Sequence, residues 1–251
     1  MADRPKVLIL GGTAEAVELA NTAAADHDIT YSLAGRTRTP ALPADVTVRS
    51  GGFGGAVALT RWLTSHRIAA VVDATHPFAD TIARNAVLAC VERSLPHLKL
   101  MRPPWEPLSG DDWHVVPDIA SAATALQQIG GRAFLSVGRQ ELGAFAGIEG
   151  VAFVIRSIDP PESANPLPEA VYLTGRGPFT FDRETDLLKA NDIDIVVSKN
   201  AGGDATYAKI AAARALSIPV VMVARPAPPP GAAVGTVDAA LDWLNSLETA
   251  T

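Results

Sequence analysis

Apolar positions along the chain fall into two alternating kinds of segment. Short, largely apolar runs of strand length stand at Val7 to Leu10, Ile29 to Ala34, Val46 to Val48, Ala69 to Asp73 and Leu98 to Met101. Longer Ala-rich stretches lie between them, at Thr13 to Ala25, Ala56 to His66 and Ala79 to Arg93. In the first of these the apolar residues Ala16, Leu19, Ala20 and Ala23 recur at helical spacing. Strands without polar alternation suit a parallel sheet covered on both faces. The alternation therefore predicts an α/β fold.

Arg102-Pro103-Pro104-Trp105-Glu106-Pro107 interrupts the series, because proline can extend neither a helix nor a central strand. The alternation then restarts. Strands are expected at Ala133 to Val137, Val151 to Ile155, Val171 to Thr174, Ile193 to Val197 and Val220 to Val223. Helices are expected at Ile119 to Ile129, Phe181 to Ala190, Ala205 to Leu216 and, after the Pro-rich turn 226–230, Val237 to Leu247. Two α/β domains fit this layout, 1–103 and 104–251, with His114-Val115-Val116 assignable to either.

The 251 residues suffice for a core without staples, and a single cysteine excludes a disulfide framework and Cys-rich zinc modules. The formal charge of −6 speaks against a general nucleic-acid binder. Any anionic ligand then needs local cations. No stretch is long and apolar enough for a membrane span or a leader, so a soluble, cytoplasmic protein is expected, with no membrane partner. The five histidines are scattered, so no metal site is expected.

Several strand-to-helix turns carry chemistry. Gly11 and Gly12 permit close approach of a backbone to a pyrophosphate, and Thr13, Ala14 and Glu15 open a helix whose free N–H groups suit an anion. The full G-x-G-x-x-G is missing, and the turn alone is also compatible with a tight connection that binds nothing. After the second strand come Gly35, Arg36, Thr37 and Arg38, where a site for NAD would carry an acid. Arginines there suit a 2′-phosphate, which favours NADPH as cofactor. Gly52 and Phe53 lie in the glycine-rich loop 51–55, and Asp73, Thr75 and His76 close the next strand. In the second half, Arg139, Gly175 with Arg176, and Ser198-Lys199-Asn200 each follow a strand. Together they suggest a pocket for an extended, multiply anionic ligand, although any one of these cations could be an ordinary surface residue.

The segments GGTAEA from Gly11, DATHPFA from Asp73, SVGRQEL from Ser136, and SKNAGG from Ser198 resemble those of the precorrin-6A reductase family. The stretches Tyr207 to Arg214 and Ile218 to Pro226 fit as well, in the same order over nearly the whole chain. The resemblance implies two Rossmann-like domains with mostly parallel sheets and an active-site cleft between them. It implies an NADPH-dependent reductase of cobalamin biosynthesis that reduces one double bond of precorrin-6A, with neighbouring pathway enzymes as further partners. The polycarboxylate macrocycle then gives Arg139, Arg176, Lys199 and Arg225 a role, and Lys199 and His76 become the candidate proton donors. Two other classes compete with this reading. One is an S-adenosylmethionine-dependent tetrapyrrole transferase, which would have no use for Arg36-Thr37-Arg38; the other is a non-catalytic nucleotide-binding regulator.

Overall fold

The computed structural model describes residues 4–35, 37–160 and 165–248. Arg36, on which the 2′-phosphate expectation centres, lies outside the described residues. The chain divides into two compact units, residues 1–103 with 226–251, and residues 104–225.

The first unit is a six-stranded sheet. Its strands are β1 (Lys6–Leu10), β2 (Asp28–Leu33), β3 (Thr47–Ser50), β4 (Ala70–Asp73), β5 (His97–Leu100) and β12 (Ala232–Val234). Their order is β3-β2-β1-β4-β5-β12, and every neighbouring pair is parallel. This is the doubly wound dinucleotide-binding order, in which the connections change direction between β1 and β4. On one face the helices α1 (Ala14–Ala23) and α7 (Val237–Glu248) bury Ala16, Leu19 and Ala20, with Val237, Ala240 and Leu244, against Ile9, Tyr31 and Leu98. On the other, α2 (Ala56–Ser65) and α3 (Asp80–Arg93) bury Leu59, Leu63, Ala86 and Cys90 against Leu8, Leu10 and Val71. Small residues on α1 and α3 let these helices lie close to the strands.

The second unit repeats the plan with β6 (Trp113–Val116), β7 (Gly131–Ser136), β8 (Val151–Ser157), β9 (Val171–Thr174), β10 (Ile195–Lys199) and β11 (Val220–Val223). Its order, β6-β11-β10-β7-β8-β9, is again wholly parallel and changes direction between β7 and β10. The helices α4 (Ile119–Ile129), α5 (Phe181–Ala190) and α6 (Ala208–Ala215) accompany it, with a 3-10 helix at Arg139–Phe145. Phe134, Val196, Ile210 and Met222 lie at the centre of its core.

The domain expectation of 1–103 and 104–251 differs from this structure at one end. The C-terminal segment returns to the first unit, where β12 pairs with β5 and α7 packs beside α1. Each sheet thus takes its sixth strand from chain that follows the fifth strand of the other. After β5 the chain supplies β6 to the second sheet, and after β11 it supplies β12 to the first. The ambiguous segment around His114 is strand β6 of the second sheet.

Candidate active site

At the carboxyl end of β1 the glycine turn is shaped by Tyr31 of β2. A Cβ on Gly11 would overlap the Tyr31 ring, and the Gly12 amide donates to the Tyr31 hydroxyl at 3.0 Å. The Gly11 amide donates to Ser32 O, continuing the pairing with β2. Gly12 has φ +117°, a conformation that favours glycine, and the space where its side chain would stand is open. Thr13 caps α1: its Oγ1 accepts the Ala16 amide at 3.1 Å and donates to Ala74 O at 2.9 Å. The amides of Ala14 and Glu15 head the helix, where no intrahelical acceptor exists. The helix head at Ala14 and Glu15 thus has the form that suits an anion, and Thr13 ties it to the β4 turn.

Asp73 at the end of β4 is completely buried. Its Oδ1 accepts the Thr75 amide at 3.0 Å and the Thr75 hydroxyl at 2.6 Å, while Lys99 Nζ of β5 lies 2.9 Å from Oδ2. Lys99 also donates to the Thr75 hydroxyl at 3.2 Å. The carboxylate foreseen as a ligand contact is thus engaged within the chain, and it shapes the Thr75 turn from beneath. Lys99 was not foreseen, because a lone lysine in an apolar strand gives no sequence signal of its burial. His76 follows, and its Nδ1 accepts the Phe78 amide at 3.3 Å, which places the proton of the neutral ring on Nε2. A shallow hollow lies over this edge, lined by Thr13, Glu15, Thr75, Pro77, Leu100, Met101 and Arg102. Glu15 is paired with Arg102 at 2.8 Å on its wall.

The far side of the same edge carries a cation that sequence reasoning missed. Arg49 of β3 donates to Ser32 Oγ at 2.7 Å, and its guanidinium lies 3.8 Å over the Phe53 ring. Arg49 also reaches Gly52 O at 3.4 Å. Gly35, with φ +75°, passes close to Ser50, and half-buried Thr37 follows the undescribed Arg36. Gly35, Gly52, Phe53 and Arg49 therefore meet at the ends of β2 and β3. The register that sets Arg49 opposite Ser32 brings them together.

In the second unit, Lys199 ends β10 and donates to both oxygens of Glu141 at 2.7 and 2.8 Å. Glu141 also accepts the Gly138 amide at 2.8 Å. Arg139 lies 3.5 Å from Asp159, and Arg176 is exposed beyond Gly175, whose backbone passes against Phe179. Two foreseen substrate contacts are turned inward instead. Ser198 is buried, its hydroxyl donating to Lys199 O, because it faces the layer beneath the sheet. Asn200 Oδ1 accepts the Trp105 amide at 2.8 Å and Nδ2 donates to Trp105 O at 2.9 Å, so its side chain anchors the start of this unit. Arg225 likewise donates to Asn200 O and Ala201 O, at 2.7 and 2.8 Å.

Beneath these loops Arg156 and Glu184 form a buried pair, with the guanidinium 3.7 Å over Phe179. Lys209 of α6 is buried beside them, 5.0 Å over Trp105, and donates to Thr206 O at 2.8 Å. Burial, reinforced by the Arg156 charge, pushes its ammonium down to about 7. Among the described residues, no cluster of His, Cys, Asp and Glu could hold a metal ion, and no helix is long and apolar enough to cross a membrane.

Strand order, the glycine turn at a helix N-terminus and the cations at strand ends define a Rossmann-type α/β protein, with a candidate ligand edge on each sheet. The chain belongs to the precorrin-6x reductase CbiJ/CobK family, whose model matches residues 6–245. It is 48% identical over 246 residues to a precorrin-6A reductase of Rhodococcus erythropolis, covering 96% of this chain and 98% of that protein. It is 27% identical over 232 residues to a cobalt-precorrin-6A reductase of Priestia megaterium, covering 88% and 90%. Among solved structures, a CobK precorrin-6A reductase superposes with a TM-score of 0.91 at 41% identity, covering 96% of both chains.

Proposed function

We propose that the chain is an NADPH-dependent precorrin-6A reductase of cobalamin biosynthesis. The observation that carries this is the whole-length similarity to precorrin-6A reductases, with identity of 48% to one of them. Identity to the cobalt-precorrin-6A reductase of Priestia megaterium is 27%, which favours the cobalt-free substrate.

The residues present fit the cofactor. Gly12 leaves an open approach at the head of α1, and Ala14 and Glu15 offer amides there. At the other end of the edge, Arg49 and Thr37 supply cationic and hydroxyl donors for a 2′-phosphate near Gly35, Gly52 and Phe53, and Arg36 is the further cation of that stretch of sequence. Asp73 holds Thr75 in place from below. Bound NADPH supplies the hydride, which is the cofactor's own chemistry. In the second unit, Arg139 and Arg176 meet carboxylates of the macrocycle, and Lys199 delivers the accompanying proton. His76 is the second candidate for that proton, given up by the protonated form of its ring.

The test is addition of precorrin-6A to the protein with NADPH. Steady oxidation of NADPH with formation of precorrin-6B is expected, faster than with the cobalt-containing substrate. Heat of binding from S-adenosylmethionine together with none from NADPH would overturn the reading in favour of a transferase. NADPH binding without turnover would point to a regulator.

A further inference from the structure

We propose that Glu141 is the positioning residue for Lys199, holding its ammonium at the direction change of the second sheet. The inference rests on the reading above, in which Lys199 supplies the proton that accompanies the hydride. β7 and β10 run in register up to Ser136 and Ser198, and the chain leaving each strand then departs to opposite sides. Ligands of open α/β sheets lie in the crevice opened there. Lys199 enters it from the end of β10, and Glu141 from the 3-10 helix that follows β7.

The two partners are not equivalent. Glu141 is tied to its own loop by the Gly138 amide, whether or not the lysine is present. Lys199 ends a flexible four-carbon stem, and two hydrogen bonds to that carboxylate hold its ammonium. Side-chain exposure of 15% for Lys199 and 28% for Glu141 puts the pair between a sealed structural bridge and an ordinary surface pair. It is rigid enough to aim a proton and open enough for a ligand to reach. In the reaction the hydride adds to one end of the conjugated C=N–C=C system, and the π electrons move to the other end. That end takes a proton from the Lys199 ammonium, and the amine left behind regains one from solvent. Glu141 exchanges no atom; it fixes where the proton starts.

Glu141→Gln preserves the shape and an acceptor for Gly138 while removing the charge that orients Lys199. A fall in kcat of about tenfold to a hundredfold is expected, less than the roughly hundredfold or more that loss of the acid itself would cost. The Kd for precorrin-6A, titrated by absorbance without NADPH, and the KM for NADPH should stay within about twofold, since neither reads the proton step. The solvent deuterium effect on kcat should rise, and Glu141→Asp should recover part of the rate. In a Lys199→Gln background the Glu141→Gln change should add nothing, because both act through one group. An equal loss in that background would overturn the positioning role while leaving Lys199 its own. Unchanged kcat in Glu141→Gln would overturn it too. Wild-type kcat in Lys199→Gln would remove both the role of Lys199 and the inference built on it.

Discussion

The ring of Tyr31 occupies the space into which a side chain on Gly11 would project, and its hydroxyl accepts the amide of the next residue, Gly12. The first glycine of the turn is therefore required by packing from within the sheet, and the second by its backbone angle. Gly11→Ala should destabilise the chain by about 1–3 kcal/mol, the usual cost of overpacking a core. Urea unfolding checks this, and Tyr31→Leu should lessen the loss in the double variant. Strict additivity of the two changes would show that the ring is not the obstacle.

The buried pair of Asp73 and Lys99 predicts an asymmetry. Lys99→Met leaves a carboxylate uncompensated and should cost about 3–5 kcal/mol. Asp73→Asn should be harmful for the converse reason, and it also loosens the Thr75 turn. The double variant should cost clearly less than the sum, because no unpaired charge remains. Denaturant midpoints of the four proteins decide it.

Cofactor preference should follow the arginines at the ends of β2 and β3. Arg36→Ala and Arg49→Ala should each weaken NADPH by about tenfold or more, the scale of one charge-assisted hydrogen bond, and leave NADH nearly unchanged. Titration calorimetry with both cofactors is the measurement. Equal losses would mean that neither arginine reads the 2′-phosphate.

Leu244 of α7 packs against the first sheet, although the chain encodes it after the whole second unit. Leu244→Ala should cost about 2–5 kcal/mol. The loss should appear in hydrogen exchange of β1 and α1 rather than of β10 and α6. Deprotection confined to the second unit would contradict the packing.

Lys209 gives the chain a signature in pH. Its folded value of about 7 lies below the ordinary 10.5, so between these the unfolded state binds more protons than the folded one. Stability should rise with pH across that window. The penalty of burying the charge is complete below about 7 and relieved towards 10.5. Lys209→Met should flatten this slope, and the difference between the two proteins at neutral and alkaline pH should amount to a few kcal/mol, roughly. Parallel curves for the two proteins would refute the assignment.

Much of the fold is written locally. The apolar runs of β1, β4, β10 and β11 and the Ala-rich spacing of α1 and α3 announce parallel strands under helices. β12 is not legible, because Ala232-Ala233-Val234 is three small residues after a proline-rich turn, and only the open edge of β5 makes it a strand. The site divides in the same way. Gly12, Thr13 and Lys199 stand at strand ends visible in the alternation, whereas Arg49, Lys99 and Glu141 draw their meaning from strand register or from a loop closing back on a neighbour. Asp73, Ser198 and Asn200 show the reverse. Each sits at a strand end in sequence, yet internal partners engage its polar group.

The sequence by itself determined the α/β class, the break near residue 103 and the loops in which chemistry concentrates, since hydrophobic period and turn residues act over a few positions. Only the tertiary structure decided which strands are neighbours, that the last 26 residues join the first unit, and which polar side chains remain available to a ligand. Those outcomes depend on pairings between residues far apart in the chain, such as Tyr31 with Gly11, Lys99 with Asp73 and Lys199 with Glu141. Their energy comes from burial and ion pairing that no local window contains.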